Sequence, residues 1–287
     1  MHIGPAEAKQ LTVGYSFKSK RLLATLFTVG GSLSCLYRWP GISYSGVFKS
    51  RGERADMIKA VFFDLYFTLI RYDPPQEELE ANALKEFGID TDPDVFGKPM
   101  VIANEFVVQE IARRPLSKRS KEETIALYAE FQRIVLEEAG IEPDEKLVLA
   151  MLGKMQQFKT KLVLFDDVIP ALKDLKSRGL ILGLISNVER DLTATINDLG
   201  LPSWLDIVVT SLEAGFSKPQ PEIFKEAMRR AVVQPSQAVY IGDQYQVDCV
   251  GAQRAGMKGI LLDRGGYSQE ITDCPRIRSL AELTAYL

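Results

Sequence analysis

Polar side chains capable of joint chemistry stand at the predicted ends of three apolar strands and in one loop. Asp64, Ser186-Asn187 and Asp243 each follow an apolar run, and Lys218 lies in a loop before a predicted helix. Because ligands bind at the carboxyl ends of the strands of an open α/β sheet, we expect these side chains to share one edge. Carboxylates, a hydroxyl and a lysine are the groups that a metal-assisted phosphoryl site requires: a nucleophile, ligands for a cation, and donors for the phosphoryl oxygens.

The composition excludes several other kinds of catalytic site. The 287-residue chain has one histidine, His2, and three scattered cysteines, Cys35, Cys249 and Cys274. A Ser-His-Asp or Cys-His centre needs a histidine within the fold, and a zinc site built from His and Cys would lack ligands. Three scattered cysteines do not form a disulfide framework, which favours a reducing compartment. The catalytic groups are therefore expected to come mainly from Asp, Glu, Lys, Ser or Tyr.

The first 56 residues differ in charge from the rest of the chain. Residues 1–56 contain eight Lys/Arg and three Asp/Glu, whereas residues 57–287 contain 27 and 35, and an acidic body argues against nucleic acid as a partner. The basic segment has three interpretations: a disordered extension before a functional start near Met57, an export or organelle-targeting segment, or a membrane anchor formed by the apolar residues 22–37. The first is favoured because a core strand begins directly after Met57, and it implies a cytoplasmic protein.

The remaining residues show two kinds of periodicity. A near-continuous apolar strand at 58–63 is followed by a block with helical patterns alone, and after residue 165 strands alternate with helices. Such alternation predicts a parallel sheet that is covered on both faces. We therefore predict an α/β fold with a Rossmann-like parallel sheet core at 57–74 and 161–287. An all-helical cap at 75–160 is inserted into this core.

Four motifs together resemble those of the haloacid dehalogenase-like (HAD) hydrolases. They occur in the order and at the spacing of that superfamily, and the helical block falls where one subfamily inserts a helical cap, between the first and second motifs. The resemblance covers essentially all of residues 57–287. The motifs are Asp64-x-x-x-Thr68, Ser186 after an apolar strand, Lys218-Pro219-x-Pro221-x-x-Phe224, and Gly242-Asp243-x-x-x-x-Asp248.

The resemblance implies a role for each residue of the first three motifs. Asp64 would be the nucleophile, and Thr68 would orient the loop that follows it. Ser186 and Asn187 would bind the transferred group of the substrate. Lys218 would offset the negative charge between Asp64 and the substrate, so it would serve both catalysis and binding.

The fourth motif implies a metal site. Asp243 would bind Mg²⁺ together with Asp64 and the backbone carbonyl of Tyr66, and Asp248 would support the metal directly or through water. Oxygen ligands of this kind suit a hard divalent cation. The cation would suppress the repulsion between an anionic nucleophile and an anionic phosphate.

Position 66 departs from the superfamily's phosphatases, which carry a second Asp two residues after the nucleophile as general acid and base. Tyr66 can donate a proton but is a poor base at neutral pH, and general acid–base catalysis is worth roughly 10²- to 10⁴-fold. The superfamily's 2-haloacid dehalogenases also have Tyr here, since halide leaves without a proton. However, residues 72–112 lack the arginine that those enzymes use, and Gly242-Asp243 is intact. Phe67 is a second departure, because glycine is usual at its position.

We therefore expect a Mg²⁺-dependent hydrolase, a phosphatase that acts on a small phosphorylated metabolite through an Asp64 aspartyl-phosphate. The alternatives are a 2-haloacid dehalogenase with Asp64 as nucleophile, and a weakly active or non-catalytic binding member. The expected partner is a small molecule rather than nucleic acid, with membrane contact only if residues 22–37 are retained. The sequence leaves the substrate and the oligomeric state open.

Overall fold

The chain forms two compact units, Met1–Asp56 and Met57–Leu287. The computed structural model describes residues 57–188 and 190–287, and the backbone of four strands in the first unit. Those strands are β1 (Gln10–Phe17), β2 (Lys20–Val29), β3 (Ser32–Trp39) and β4 (Ile42–Phe48), and they pair in chain order as an antiparallel sheet. The sequence indicated no regular element here.

The side chains of the apolar run 22–37 lie outside the described residues, so the roles of extension, targeting segment or anchor stay predictions. Within the part of the chain that the structure describes, no helix is both long and apolar enough to cross a membrane.

The second unit is built on a six-stranded parallel sheet with the order β12-β11-β10-β5-β8-β9. Because the chain leaves β5 first toward β8 and later toward β10, the order reverses beside β5, and a ligand crevice is expected at such a point. This arrangement confirms the predicted α/β fold with a parallel core. The strands are β5 (Ala60–Phe63), β8 (Ile181–Ser186), β9 (Ile207–Thr210), β10 (Ala238–Gly242), β11 (Lys258–Leu262) and β12 (Arg276–Ile277).

Helices cover both faces of this sheet, which explains why its strands are almost continuously apolar. Successive side chains of β5 point to opposite faces: Val61 and Phe63 belong to one buried cluster, and Ala60 and Phe62 to the other. The helices are α5 (Val168–Ser177), α6 (Thr193–Asp198), α7 (Ser211–Ala214), α8 (Pro221–Ala231) and α9 (Val250–Arg254). A π-helical turn, Tyr245–Cys249, precedes α9, and a 3₁₀ helix, Leu280–Tyr286, ends the chain.

Four helices form the inserted segment: α1 (Gln76–Glu86), α2 (Gly97–Arg113), α3 (Lys121–Glu138) and α4 (Glu145–Met155). They pack around a hydrophobic cluster of their own that includes Leu84, Phe96 and Leu136. The start of α3 carries a reciprocal capping box between Ser120 and Glu123, which satisfies otherwise unpaired backbone amides.

The segment leaves and rejoins the core through an antiparallel ribbon that the sequence did not predict. Strands β6 (Ile70–Asp73) and β7 (Lys161–Leu164) pair from Ile70 opposite Leu164 to Asp73 opposite Lys161. Both strands are short and include charged residues, IRYD and KLVL, so they lack the continuous apolar character that marks the core strands. Two other predicted helices differ in type from the prediction. The last one is a 3₁₀ helix, and the one after the fourth motif begins as a π-helical turn.

Candidate active site

Three carboxylates meet at the carboxyl ends of the two central strands. Asp64 follows β5, Asp243 follows its neighbour β10, and Asp248 lies on the π-helical turn after β10. Each can contribute one oxygen to a group in which all of these atoms lie within 4.8 Å of one another. Residues separated by as much as 184 positions are thus brought together by strand adjacency.

Lys218 links two of these carboxylates. Its Nζ donates to Oδ1 of Asp64 at 2.6 Å, to Oδ1 of Asp248 at 2.7 Å, and to the hydroxyl of Tyr240 at 2.8 Å. The lysine side chain is 3% exposed, so these three oxygens replace its hydration. The Tyr240 hydroxyl also lies 3.1 Å from the carbonyl oxygen of Ile185.

Tyr240 is a site residue that the sequence analysis missed, since it reads as one more apolar position of a buried strand. Its ring packs edge-to-face on Phe224, the last residue of the third motif, with centroids 5.1 Å apart and an interplanar angle of 86°. Phe224 thereby fixes the ring whose hydroxyl accepts the hydrogen bond from Lys218. The spacing within the third motif thus lets Lys218 contact the hydroxyl of Tyr240 while Phe224 packs against its ring.

Burial and mutual proximity shift the pKa values of these groups. Burial raises the pKa of Asp64 to about 6, with a further contribution from Asp248, while Lys218 opposes the shift. Burial and the neighbouring Asp64 and Asp248 raise the pKa of Asp243 well above its ordinary value. Burial lowers the pKa of Lys218, but Asp248 and Asp64 outweigh this and leave the pKa raised, which favours the charged lysine.

Asn187 binds the backbone of Lys218, and its role in binding the transferred group of the substrate stays a prediction. Its side-chain amide donates to the carbonyl oxygen of Lys218 at 2.9 Å and accepts from the backbone amide of Lys218 at 2.8 Å. It thus holds the lysine's loop while it lines the cavity, as Ser186 also does. Thr68, four residues after Asp64, is fully buried, and its carbonyl oxygen accepts from Arg264 at 2.8 Å.

Gly242 allows Asp248 to approach the end of β10. A Cβ atom at position 242 would lie 2.2 Å from the Asp248 carboxyl carbon, closer than atoms can pack. The π-helical turn carries Asp248 back over the strand, where the backbone amide of Gln244 donates to its Oδ2 at 3.0 Å. The glycine of the fourth motif is therefore required by packing.

A cavity of about 430 Å³ opens above these groups and is roofed by the inserted helices. This volume is typical of small-molecule sites. Asp64, Ser186, Asn187, Lys218, Asp243 and Asp248 line its floor. The roof includes Gln76, Glu80, Asn104, Val107, Tyr128 and Gln132.

Two residues that depart from the expected motif pattern, Tyr66 and Phe67, follow Asp64 closely in the chain. Tyr66 lines the cavity, and its hydroxyl accepts from Nη2 of Arg190 at 3.4 Å. Arg190 follows β8, and no motif in the sequence had indicated it. Phe67 adopts φ of 60°, a region that favours glycine, and its ring lies 6.1 Å from that of Tyr72 on the cavity wall.

The donor set fits a hard divalent cation. Both carboxylate oxygens of Asp248 are already anchored, by Lys218 and by the Gln244 amide, which leaves Asp64 and Asp243 as the more available ligands. One lysine does not neutralise three carboxylates, so a cation would relieve the remaining repulsion. The role of the Tyr66 carbonyl as a ligand stays a prediction.

The arrangement of motifs on this fold agrees with a match to a known family. Residues 58–256 match the family model described as "Hydrolase: haloacid dehalogenase-like hydrolase". The chain belongs to this family. It is therefore a HAD-like hydrolase, which confirms the resemblance read from the four motifs.

Similar proteins include phosphatases. This HAD-like hydrolase is 35% identical over 216 residues to a glyceraldehyde 3-phosphate phosphatase from Methanopyrus kandleri, covering 74% of this chain and 86% of that protein. It is 30% identical over 215 residues to a ribulose-1,5-bisphosphate 5-phosphatase from Halopiger xanaduensis, covering 72% and 85%. The magnesium-bound structure of the HAD-hydrolase YfnB from Bacillus subtilis shares the fold, with a TM-score of 0.50 and 21% identity over 80% of this chain and 98% of that one.

Proposed function

We propose that this HAD-like hydrolase is a Mg²⁺-dependent phosphatase that acts on a small phosphorylated metabolite through an aspartyl-phosphate on Asp64. The observation that carries the proposal is the group of three carboxylates around Lys218. Displacement of halide from a neutral carbon needs no such cation site. The similarity to two sugar-phosphate phosphatases supports the same conclusion.

In the first half of the reaction, a carboxylate oxygen of Asp64 bonds to phosphorus and the ester P–O bond breaks. Lys218 holds Oδ1 of Asp64 and thereby orients the nucleophile. Ser186, at the end of β8, lines the cavity beside Asp64 and can donate to a phosphoryl oxygen. When bound by Asp64 and Asp243, Mg²⁺ would neutralise charge on the phosphoryl oxygens.

Tyr66 can supply the proton that the leaving oxygen needs. Its phenol would protonate the alkoxide in the first half, and Arg190, at 3.4 Å, would offset the charge of the phenolate. In the second half, water attacks phosphorus, the bond to Asp64 breaks, and the phenolate regains a proton from that water. Atoms and protons balance over the two halves, and Asp64 returns to its carboxylate form.

One observation favours a second candidate, a 2-haloacid dehalogenase. Tyr66 stands where those enzymes have tyrosine, and Arg190 places a cation beside it that could accept a halide. In that reaction Asp64 would attack carbon rather than phosphorus. The group of three carboxylates argues against this candidate, because a dehalogenase binds no metal ion and Asp243 would then only add negative charge beside Asp64.

The two candidates are separated by their products and their metal dependence. We would measure phosphate release from glyceraldehyde 3-phosphate, ribulose 1,5-bisphosphate, phosphoglycolate and p-nitrophenyl phosphate, and chloride release from 2-chloropropionate, each with Mg²⁺ and with EDTA. The proposal expects phosphate release that EDTA abolishes. Chloride release that is insensitive to EDTA, without phosphate release, would overturn it.

Asp64→Asn tests the covalent step. This variant should lose phosphate release and the acid-stable mass increase of one phosphoryl group on the peptide that contains Asp64. The matched control is Asp166→Asn, since Asp166 belongs to the same core but is exposed. A fully active Asp64→Asn enzyme would contradict the assigned nucleophile.

A further inference from the structure

A buried polar pair lies in the roof of the cavity, on the helices of the inserted segment. Nε2 of Gln132, on α3, donates to Oε2 of Glu80, on α1, at 2.8 Å. Glu80 is 0% exposed and Gln132 is 1% exposed, and both line the cavity that contains Asp64. Among the described residues, Oε1 of Glu80 has no hydrogen-bond partner.

This unpartnered oxygen points to a ligand. A buried carboxyl group without a full set of partners is unfavourable, and proteins normally satisfy such groups. Here the missing partner can come from a molecule that occupies the cavity. A hydroxyl group of the substrate would donate to Oε1 and remove the deficit.

The charges of the cavity limit what that molecule can be. Among the described lining residues, Lys218 alone is a cation, and it is engaged by Asp64 and Asp248. Glu80 adds a further acidic group on the opposite side, in the roof. Arg190 is not among the lining residues and donates to the Tyr66 hydroxyl on the floor side of the cavity. Near Glu80, a carboxylate on the organic part of a substrate would therefore find no available cation among the described lining residues and would face like charge.

We propose that Glu80, oriented by Gln132, is a specificity-determining residue that binds a hydroxyl group on an uncharged organic part and disfavours phosphate esters that carry a carboxylate. This inference rests on the proposed phosphatase function and narrows its substrate class to phosphates of polyols and sugars. The side walls agree with such a group, since Val107, Leu152 and Tyr128 can contact its C–H surfaces.

The protonation behaviour of Glu80 is compatible with this role. Burial raises the pKa of Glu80 to about 7, against the opposing hydrogen bond from Gln132. Both forms of the carboxyl group can bind a hydroxyl, which is donor and acceptor at once. Only the ionised form repels a carboxylate.

The test uses substrate pairs that differ in a single group. Glycerol 3-phosphate and 3-phosphoglycerate differ only in a hydroxymethyl group against a carboxylate, as do glucitol 6-phosphate and 6-phosphogluconate. For the wild type at pH 8 we expect kcat/KM to favour the hydroxymethyl member of the better-used pair by about 10-fold or more. Glu80→Gln should shift this ratio toward the carboxylate member by about 10-fold.

Glu80→Leu tests the hydrogen bond itself. It should lower kcat/KM for the hydroxymethyl ester by about 10- to 100-fold, whereas p-nitrophenyl phosphate, which has no hydroxyl, should change by less than about 3-fold. Gln132→Leu should also lower the ratio of kcat/KM for the hydroxymethyl ester to kcat/KM for the carboxylate ester. A purely structural role of Gln132 would leave this ratio unchanged. The control is Glu86→Gln, on the same helix but exposed, which should leave every ratio unchanged.

The outcomes separate the two proposals. If the wild type hydrolyses esters but neither Glu80 variant alters the ratio, the inference on Glu80 fails and the phosphatase stands. If the wild type releases phosphate from none of these esters, including p-nitrophenyl phosphate, the proposed function fails and this inference with it. Thermal melts check folding, and the near-isosteric Glu80→Gln keeps the test valid if Glu80→Leu does not fold.

Discussion

The ammonium group of Lys218 lies 2.6 Å from the Asp64 carboxylate, and both side chains are at least nine-tenths buried. The lysine reaches Asp64 across 154 positions of sequence and simultaneously contacts Asp248 at 2.7 Å. Asp64, the proposed nucleophile, is thus held by a cation that water does not screen. We therefore expect substitution of Lys218 to affect both the stability of the protein and its activity.

Lys218→Met should impair both turnover and folding. Removal of one partner from a buried ion pair leaves uncompensated carboxylates and is expected to cost about 3–5 kcal/mol of unfolding free energy at neutral pH. Turnover should fall by about 10²-fold or more, because the oriented nucleophile loses its donor. Urea titration and phosphate release would measure the two effects. Lys225→Met, at an exposed position of α8, is the control, and equal behaviour of the two variants would contradict the assigned role.

Gly242→Ala should abolish activity without a change in any polar group. The new Cβ would lie 2.2 Å from the Asp248 carboxyl carbon, so Asp248 must move away from Lys218 and the Gln244 amide. We expect a loss of phosphate release of about 10²-fold or more, since a misplacement of about 1 Å is enough for that. Gly153→Ala is the matched control. That position in α4 has open space around it, and alanine is favoured there by up to about 1 kcal/mol.

Tyr66→Phe should reveal whether the phenol donates a proton. For an alkyl phosphate, whose leaving group needs protonation, kcat should fall by about 10²-fold, and for p-nitrophenyl phosphate it should change little. Arg190→Met should lower the same alkyl-phosphate rate, because its guanidinium contacts the phenol. The comparison of the two esters is the measurement.

A second substitution at position 66 extends this test. Tyr66→Asp would restore the acid and base of the superfamily's phosphatases and should raise turnover if position 66 limits the rate. Equal kcat values for Tyr66→Phe and the wild type on both esters would mean that another group supplies the proton.

Glu80→Gln should stabilise the protein in a pH-dependent way. Burial raises the pKa of Glu80 from 4.5 to about 7, so between these values the folded state holds a proton that the unfolded state has lost. Stability of the wild type therefore falls as the pH rises through this window, by about 3 kcal/mol from this group. Glu80→Gln does not lose stability in this way. Its unfolding free energy should therefore exceed that of the wild type by little near pH 4.5 and by a constant amount above pH 7.

Denaturation at several pH values would check this difference. The control is Glu86→Gln, at an exposed position of the same helix, measured at the same pH values. A pH-independent advantage of Glu80→Gln would argue against a raised pKa of Glu80.

The sequence alone determined the parallel sheet and the order of its site residues. Apolar runs such as 181–185, followed by Ser186, favour buried strands that end in polar groups. Strand ends then bring Asp64 and Asp243 to one edge, whatever the details of packing. The four helices of the inserted segment were also predictable, because their apolar positions recur with the helical period, and α3 and α4 begin after the capping residues Ser120 and Asp144.

The tertiary structure decided what surrounds those residues. Tyr240 reads as one more apolar strand position until packing brings its hydroxyl to Lys218, and Arg190 and Tyr66 meet only because the loops after two adjacent strands approach each other. The pairing of Glu80 with Gln132 spans 52 positions and two helices. Local patterns report the period of an element and its ends, whereas contacts between elements depend on where each side chain lies after packing. For that reason the motifs of the site could be identified in the sequence, whereas the residues that contact them and shape the cavity are identified only by the fold.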